Sequence, residues 1–111
     1  MSSFAVTPDP PYVAVIFTTL RPAQTEAEQD DGYAAAAARM DAVVATQPGF
    51  LGAESVRGED GLGITVSYWE SEAAARAWRE QAEHAAVRAI GRERWYRGYR
   101  LRVAVVQREE P

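Results

Sequence analysis

Apolar positions along this chain repeat with two different periods, and the switches between them outline the fold. Tyr12-Val-Ala-Val-Ile-Phe-Thr-Thr-Leu20 is rich in β-branched and aromatic residues and reads as a strand. Both of its faces are apolar: Val13, Val15 and Phe17 on one, Tyr12, Ala14 and Ile16 on the other. A strand with that pattern is covered on both sides. Arg21 to Asp30 follows as a polar connector, with Pro22 ending the strand. From Gly32 to Thr46 the period lengthens. Tyr33, Ala36, Ala37, Met40, Val43 and Val44 fall at helical spacing. Asp30 or Asp31 is placed to cap this helix, and Gln47-Pro48-Gly49 ends it.

Phe50 to Val56 reads as a second strand, and Arg57-Gly58-Glu59-Asp60-Gly61 as the turn out of it. Leu62 to Trp69 is a third strand. Ile64, Val66 and Tyr68 face one way; Thr65, Ser67 and Trp69 face the other. Ser71 is placed as the N-cap of a second helix whose inner stripe is Ala74, Trp78, Ala82 and Ala85. This helix is expected to break near Glu83, to resume as far as Ile90 and to stop at Gly91. The last strand puts Trp95, Tyr99, Leu101, Val103 and Val105 on one side. Tyr96, Arg100, Arg102, Ala104 and Val106 take the other.

Strand, helix, strand, strand, helix, strand is the ferredoxin-like order. The expected fold is therefore α+β, with a four-stranded antiparallel sheet and helices on one face. One domain spans 12–108, after a flexible proline-containing leader, 1–11, and before a short tail, 109–111. Two helices cover only one face of such a sheet. The second apolar face of the first strand, joined by Ala104 and Val106, would be left as an exposed patch. A twofold homodimer packed through that face is the economical solution.

Composition then removes classes of chemistry. A chain of 111 residues builds one modest core. Its net charge of −4 argues against nucleic acid as a partner. All of the basic residues are arginine, and the stripe formed by Arg100 and Arg102 reads as a solvated or ion-paired face. With no cysteine there are no disulfides, thiolate metal sites or cysteine nucleophiles, which fits a cytoplasmic protein. The first eleven residues lack the pattern of a signal peptide, and no segment approaches the ~20 apolar residues of a membrane span. There is no GxGxxG, no phosphate-binding loop and no pair of catalytic carboxylates.

What remains is aromatic. Trp69, Trp78, Trp95, Tyr68, Tyr96 and Tyr99 lie in the last forty-odd residues with Arg88 and the single histidine, His84. Such groups suit a flat organic substrate. Trp, Tyr and Phe stack on a ring, Arg stabilises an anion, and His moves a proton. Each has a plainer reading. Trp78 at helical spacing from Ala74 fits a core position, Trp95 and Tyr99 fit a sheet face, and His84 fits a helix end. On one continuous helix, Trp78 and His84 are six residues and ~600° apart, so their side chains diverge.

Several short motifs, in order, resemble one family. They are Gln47-Pro-Gly-Phe-Leu-Gly52, Ile64-Thr-Val-Ser-Tyr-Trp-Glu-Ser71, Ala77-Trp78 followed by Glu83-His84, and Gly91-Arg92. Trp95-Tyr-Arg-Gly-Tyr99, running into Arg102-Val-Ala-Val105, completes the set. Across Tyr12 to Arg108 the chain resembles the antibiotic biosynthesis monooxygenase-like family of the dimeric α/β-barrel superfamily. The resemblance implies a homodimer in which two sheets form a barrel, with a pocket in each subunit between helices and sheet. It implies cofactor-independent oxygenation of a small aromatic or quinone-like molecule. His84 is then the candidate catalytic residue, and Trp69, Trp78, Arg88, Trp95, Tyr96 and Tyr99 are candidates for substrate binding. No metal or cofactor is expected.

Two alternatives accompany this reading. One is a dimeric ligand-binding or stress-related protein that uses the same pocket without turnover. The other is a haem-binding or haem-degrading protein. That branch of the family uses an Asn on the first strand and a His ten residues after the helix Trp. Here the first strand has no Asn, and the position ten after Trp78 is Arg88. The haem reading is disfavoured on those residues.

Overall fold

A computed structural model describes residues 3–22 and 32–111, with the backbone alone for Ala82 and Glu83. The expected connector beyond Pro22 and the cap at Asp30 or Asp31 lie outside the described residues. The elements run β1 (Tyr12–Leu20), α1 (Tyr33–Val44), β2 (Phe50–Arg57), β3 (Leu62–Trp69), α2 (Glu72–Glu80) and α3 (Ala82–Ile90). A π-helical turn (Gly91–Trp95) then leads into β4 (Gly98–Val106).

The strands make one sheet in the order β2-β3-β1-β4, with every neighbouring pair antiparallel. This is the ferredoxin-like α+β arrangement. Within the single chain the sheet is open, with β2 and β4 as its edges, and is not a closed barrel. β1 lies between β3 and β4, with Val13, Val15 and Phe17 on the helix-facing side and Tyr12, Ala14 and Ile16 on the other. The register sorts the side chains by rows. Trp69, Val13 and Val105 share one row, Ser67, Val15 and Val103 the next, and Thr65, Phe17 and Leu101 a third. These rows face the helices.

Trp69 anchors the core. It is fully buried and packs with Val13, Ala75 and Trp78, with Met40, Val43, Val44 and Phe50 closing around them. Burial of a whole indole is worth roughly 4–6 kcal/mol of transfer free energy as an upper bound. Gly49 lets the chain pass under α2. It adopts φ +81, and a Cβ there would lie 2.6 Å from that of Ala74. The close approach lets its carbonyl accept a hydrogen bond from Glu70 N at 2.9 Å.

The second helix breaks and ends close to the expected places, with a local difference at each. The expected break is present but falls at Gln81, just before Glu83, where ψ is 133 and extended. The physical reason is local capping. The Gln81 side-chain oxygen accepts from His84 N at 2.8 Å and so starts α3 afresh. The α-helix ends at Ile90 as expected, but Gly91 does not turn the chain away. It stays right-handed at φ −58, and the chain continues as the π-turn, closed by Tyr96 N donating to Gly91 O at 3.0 Å. A Cβ at Gly91 would meet the Tyr96 ring at 2.9 Å, so glycine gives that ring room to fold back. Trp95 therefore belongs to the π-turn and not to the last strand.

The other face of the sheet carries Ile16, Thr18, Val66, Ile64 and Val56 by register. Val56 is 69% exposed and Ile64 37%. At one end of this face the segment before β1 is tied down. Ala5 N donates to Glu54, and Thr7 and Tyr12 both donate to the Glu109 carboxylate. Among the described residues, no helix is long and apolar enough to cross a membrane.

Candidate functional site

A cavity of about 640 Å³ lies between the helix-facing rows of the sheet and the layer of α1, α2, α3 and the π-turn. The fold puts it there because small side chains line both walls. Ser55, Thr65 and Ser67 stand on the sheet, and Ala36, Ala37 and Ala75 on the helices. A ferredoxin-like layer with bulkier residues at these positions would close the gap. Such a volume suits a small organic ligand.

At one end, Phe50, Trp69, Trp78 and His84 form an aromatic stack. Phe50 meets Trp69 edge-on at 5.3 Å between ring centres, and Trp69 lies near-parallel to Trp78 at 6.5 Å. Trp78 and His84 stack at 4.3 Å with an interplanar angle of 13°. The expectation that these two diverge fails because the helix breaks between them. The kink at Gln81 resets the rotation of α3 and returns His84 to the ring of Trp78.

The break also fixes the imidazole. His84 Nδ1 lies 3.1 Å from the Trp78 carbonyl. A carbonyl only accepts, so the neutral ring carries its proton on Nδ1 and leaves Nε2 with a lone pair. Burial holds the His84 pKa below its ordinary value, and the charges of Arg88 and Arg79 push the same way; the Trp78 carbonyl opposes them. The result is a neutral base in an apolar wall. Among the described residues, no group of three or more His, Asp or Glu gathers at metal-binding spacing.

Arg88 follows His84 by one turn of α3 and also lines the cavity. Its Nε is buried without a hydrogen-bond partner. Burial depresses its pKa, and the neighbouring Arg79 and Arg92 depress it further. At the other end, Trp95 and Tyr96 meet the ring of Tyr33 edge-on at 5.5 and 6.0 Å, and Phe17 meets Tyr96 edge-on at 5.9 Å. Tyr99 lies near Phe17 at 6.1 Å. Burial, and then the neighbouring Tyr33 phenol, raise the Tyr96 pKa well above its ordinary value.

All seven residues singled out from the sequence thus stand on the wall of one cavity. They do not stand there equally. Trp69, Trp78 and Trp95 are buried, whereas His84, Arg88 and Tyr96 are partly open and Tyr99 is exposed. Tyr68 is on the opposite face of the sheet. Its hydroxyl donates to Glu54 at 2.6 Å, and burial with that carboxylate pushes its pKa up to about 12.

Phe17, Phe50, Met40 and Tyr33 also line the cavity. Their apolar spacing was visible, but spacing does not separate a core wall from a cavity wall. Tyr33 is held in place by cations from outside the helix. Arg57 Nη2 donates to its hydroxyl at 2.9 Å, and the Arg21 guanidinium lies 3.8 Å above its ring.

Comparison with known proteins agrees with this architecture. The sequence profile of the family described as antibiotic biosynthesis monooxygenase matches residues 12–90. YqjZ of Bacillus subtilis (strain 168), an uncharacterized protein, is 50% identical over 109 residues, covering 98% of this chain and 91% of the relative. Among solved structures, a mutant form of SnoaB, a cofactor-independent oxygenase from Streptomyces nogalater, superimposes with a TM-score of 0.73 at 19% identity. The match covers 90% of this chain and 97% of that one. Rv0793 from Mycobacterium tuberculosis gives a TM-score of 0.67 at 16% identity, with the same coverage of both chains. At these identities the two structures establish a shared fold.

Proposed function

Because the chain belongs to the antibiotic biosynthesis monooxygenase family, we propose that it is a cofactor-independent oxygenase of a small phenolic or quinol-like aromatic, with His84 as general base. One observation carries this reading. The His84 ring is stacked on Trp78 inside the cavity, and its Nδ1 is tied to the Trp78 carbonyl. That geometry leaves Nε2 as the atom able to take a substrate proton.

The reaction follows from that atom. His84 Nε2 takes the phenol proton, and the Arg88 guanidinium offsets the charge of the phenolate. The phenolate passes one electron to dioxygen, giving an aryloxyl radical and superoxide. These combine at a ring carbon as a peroxide, which the His84 imidazolium protonates. Loss of water across the O–O bond, with departure of the ring hydrogen, leaves a quinone. The net change is phenol plus dioxygen to quinone plus water. Tyr96 and Tyr99 present ring surface to the substrate, and Trp78 backs the His84 ring in the same wall. Trp69 and Trp95, buried behind them, hold those rings in position. The apolar wall keeps bulk water from the radical pair.

The second sheet face supports a homodimer. Val56 and Ile64 expose apolar surface there, as a twofold contact between two open sheets requires. The chemistry is tested by isotope labelling. Turnover under ¹⁸O₂ with no added cofactor is expected to put one labelled oxygen in the quinone. A product labelled only from solvent water would reject the scheme.

A further inference from the structure

The charge around His84 exceeds what a transient phenolate requires. Arg79, Arg88 and Arg92 all line the cavity, on α2, α3 and the π-turn, in a protein whose net charge is −4. Among the described residues no carboxylate forms an ion pair with any of the three. The acids on the same wall are otherwise placed. Glu72 pairs with Arg76 at 3.1 Å, Glu54 accepts from Tyr68 and from Ala5 N, and Asp41 is exposed on α1. The Arg88 Nε is buried and bonded to nothing. A buried guanidinium N–H without an acceptor is uncommon, because the lost hydration goes uncompensated. The like charges of Arg79 and Arg92 beside it add to that cost.

We infer that Arg88, flanked by Arg79 and Arg92, is a subsite for a permanent anion, so that the substrate is an aromatic acid carrying a carboxylate beside its oxidisable ring. The inference rests on the oxygenase reading for the ring and adds the second group. A guanidinium and a carboxylate match as a planar pair, which fixes orientation as well as charge. Arg88 lies one helical turn from His84. The carboxylate at Arg88 therefore holds the adjacent ring beside His84, with its hydroxyl toward the imidazole. Arg79 and Arg92 supply attraction at the mouth of the cavity that falls with salt.

The test compares 1-hydroxy-2-naphthoic acid with its methyl ester. Binding to the wild-type protein, R88Q and R88K is followed by calorimetry and by quenching of tryptophan fluorescence. The wild type is expected to prefer the acid by at least about tenfold, the scale of one charge-assisted hydrogen bond. Added salt is expected to weaken the acid and leave the ester unchanged. R88Q is expected to lose the preference while still binding the ester, which shows that its cavity is intact; R88K is expected to keep part of it. Equal binding of acid and ester by the wild type, binding of neither, or a preference that survives R88Q would overturn the subsite. Acid-selective binding without any oxygen uptake would instead reject the oxygenase reading and leave the subsite standing.

Discussion

The ring of His84 lies 4.3 Å from that of Trp78 and almost parallel to it, although six residues separate them along the chain. A continuous helix would turn them away from each other. The contact exists because Gln81 takes an extended ψ and its side chain caps the next helix at His84 N. One residue therefore sets both the helix break and the position of the imidazole.

Replacement of Gln81 tests that coupling. Q81A removes the cap and is expected to cost about 1 kcal/mol in denaturant unfolding. It is also expected to loosen the Nδ1 contact with the Trp78 carbonyl. Nitrogen-15 shifts of the imidazole report this directly: the wild type gives the Nδ1–H tautomer, and Q81A gives a mixture. W78A removes the shared ring, with an expected loss of about 3–5 kcal/mol. An unfolding curve for W78A that matched the wild type would show that the stack carries no stability.

The pH behaviour follows from burial of His84, which puts its folded-state pKa below the ordinary 6.5. Between those two values the unfolded chain binds more protons than the folded one, so stability rises with pH across that window. The contribution is complete above 6.5 and is lost as pH falls toward the folded pKa. Proton NMR titration is expected to place the midpoint below 6.5, and unfolding midpoints are expected to decline on acidification through the same range. Removal of the Arg88 charge in R88Q is expected to move the midpoint up. A midpoint above 6.5 in the wild type would contradict the assignment of His84 as a neutral buried base.

The second sheet face gives a separate prediction. Val56 and Ile64 are apolar, exposed and on neighbouring strands. I64E is expected to convert a dimer into a monomer in sedimentation at micromolar concentration, with its far-ultraviolet circular dichroism unchanged. A wild-type monomer under those conditions would remove the dimer from the account.

Much of this fold is legible as pattern. The alternating runs at Tyr12–Leu20 and Leu62–Trp69 mark strands, and the strand, helix, strand, strand, helix, strand order gives the ferredoxin-like sheet. The helix break was harder to locate. Gln81 is an unremarkable polar residue in an Ala-rich run, and nothing in its spacing shows that its side chain caps His84. Trp78 and His84 meet because of that one residue, since rotation per residue holds only while the helix continues. The continuation past Gly91 was hidden for a related reason. Glycine there makes room for the Tyr96 ring instead of turning the chain, so Trp95 falls in the π-turn. Cavity-lining residues such as Phe50 and Tyr33 look like core from their spacing, because lining and core differ only in what is missing opposite them.

The central claim is that His84 removes a proton from a substrate held in this cavity. The most direct measurement is oxygen consumption by purified wild-type and H84A protein, without added cofactor, across a panel of hydroxynaphthoic acids and anthrones. The account predicts uptake by the wild type and a loss of about 10²- to 10⁴-fold in kcat for H84A, the usual range for a general base, with little change in KM. An H84A variant that is folded and turns over at the wild-type rate would contradict it.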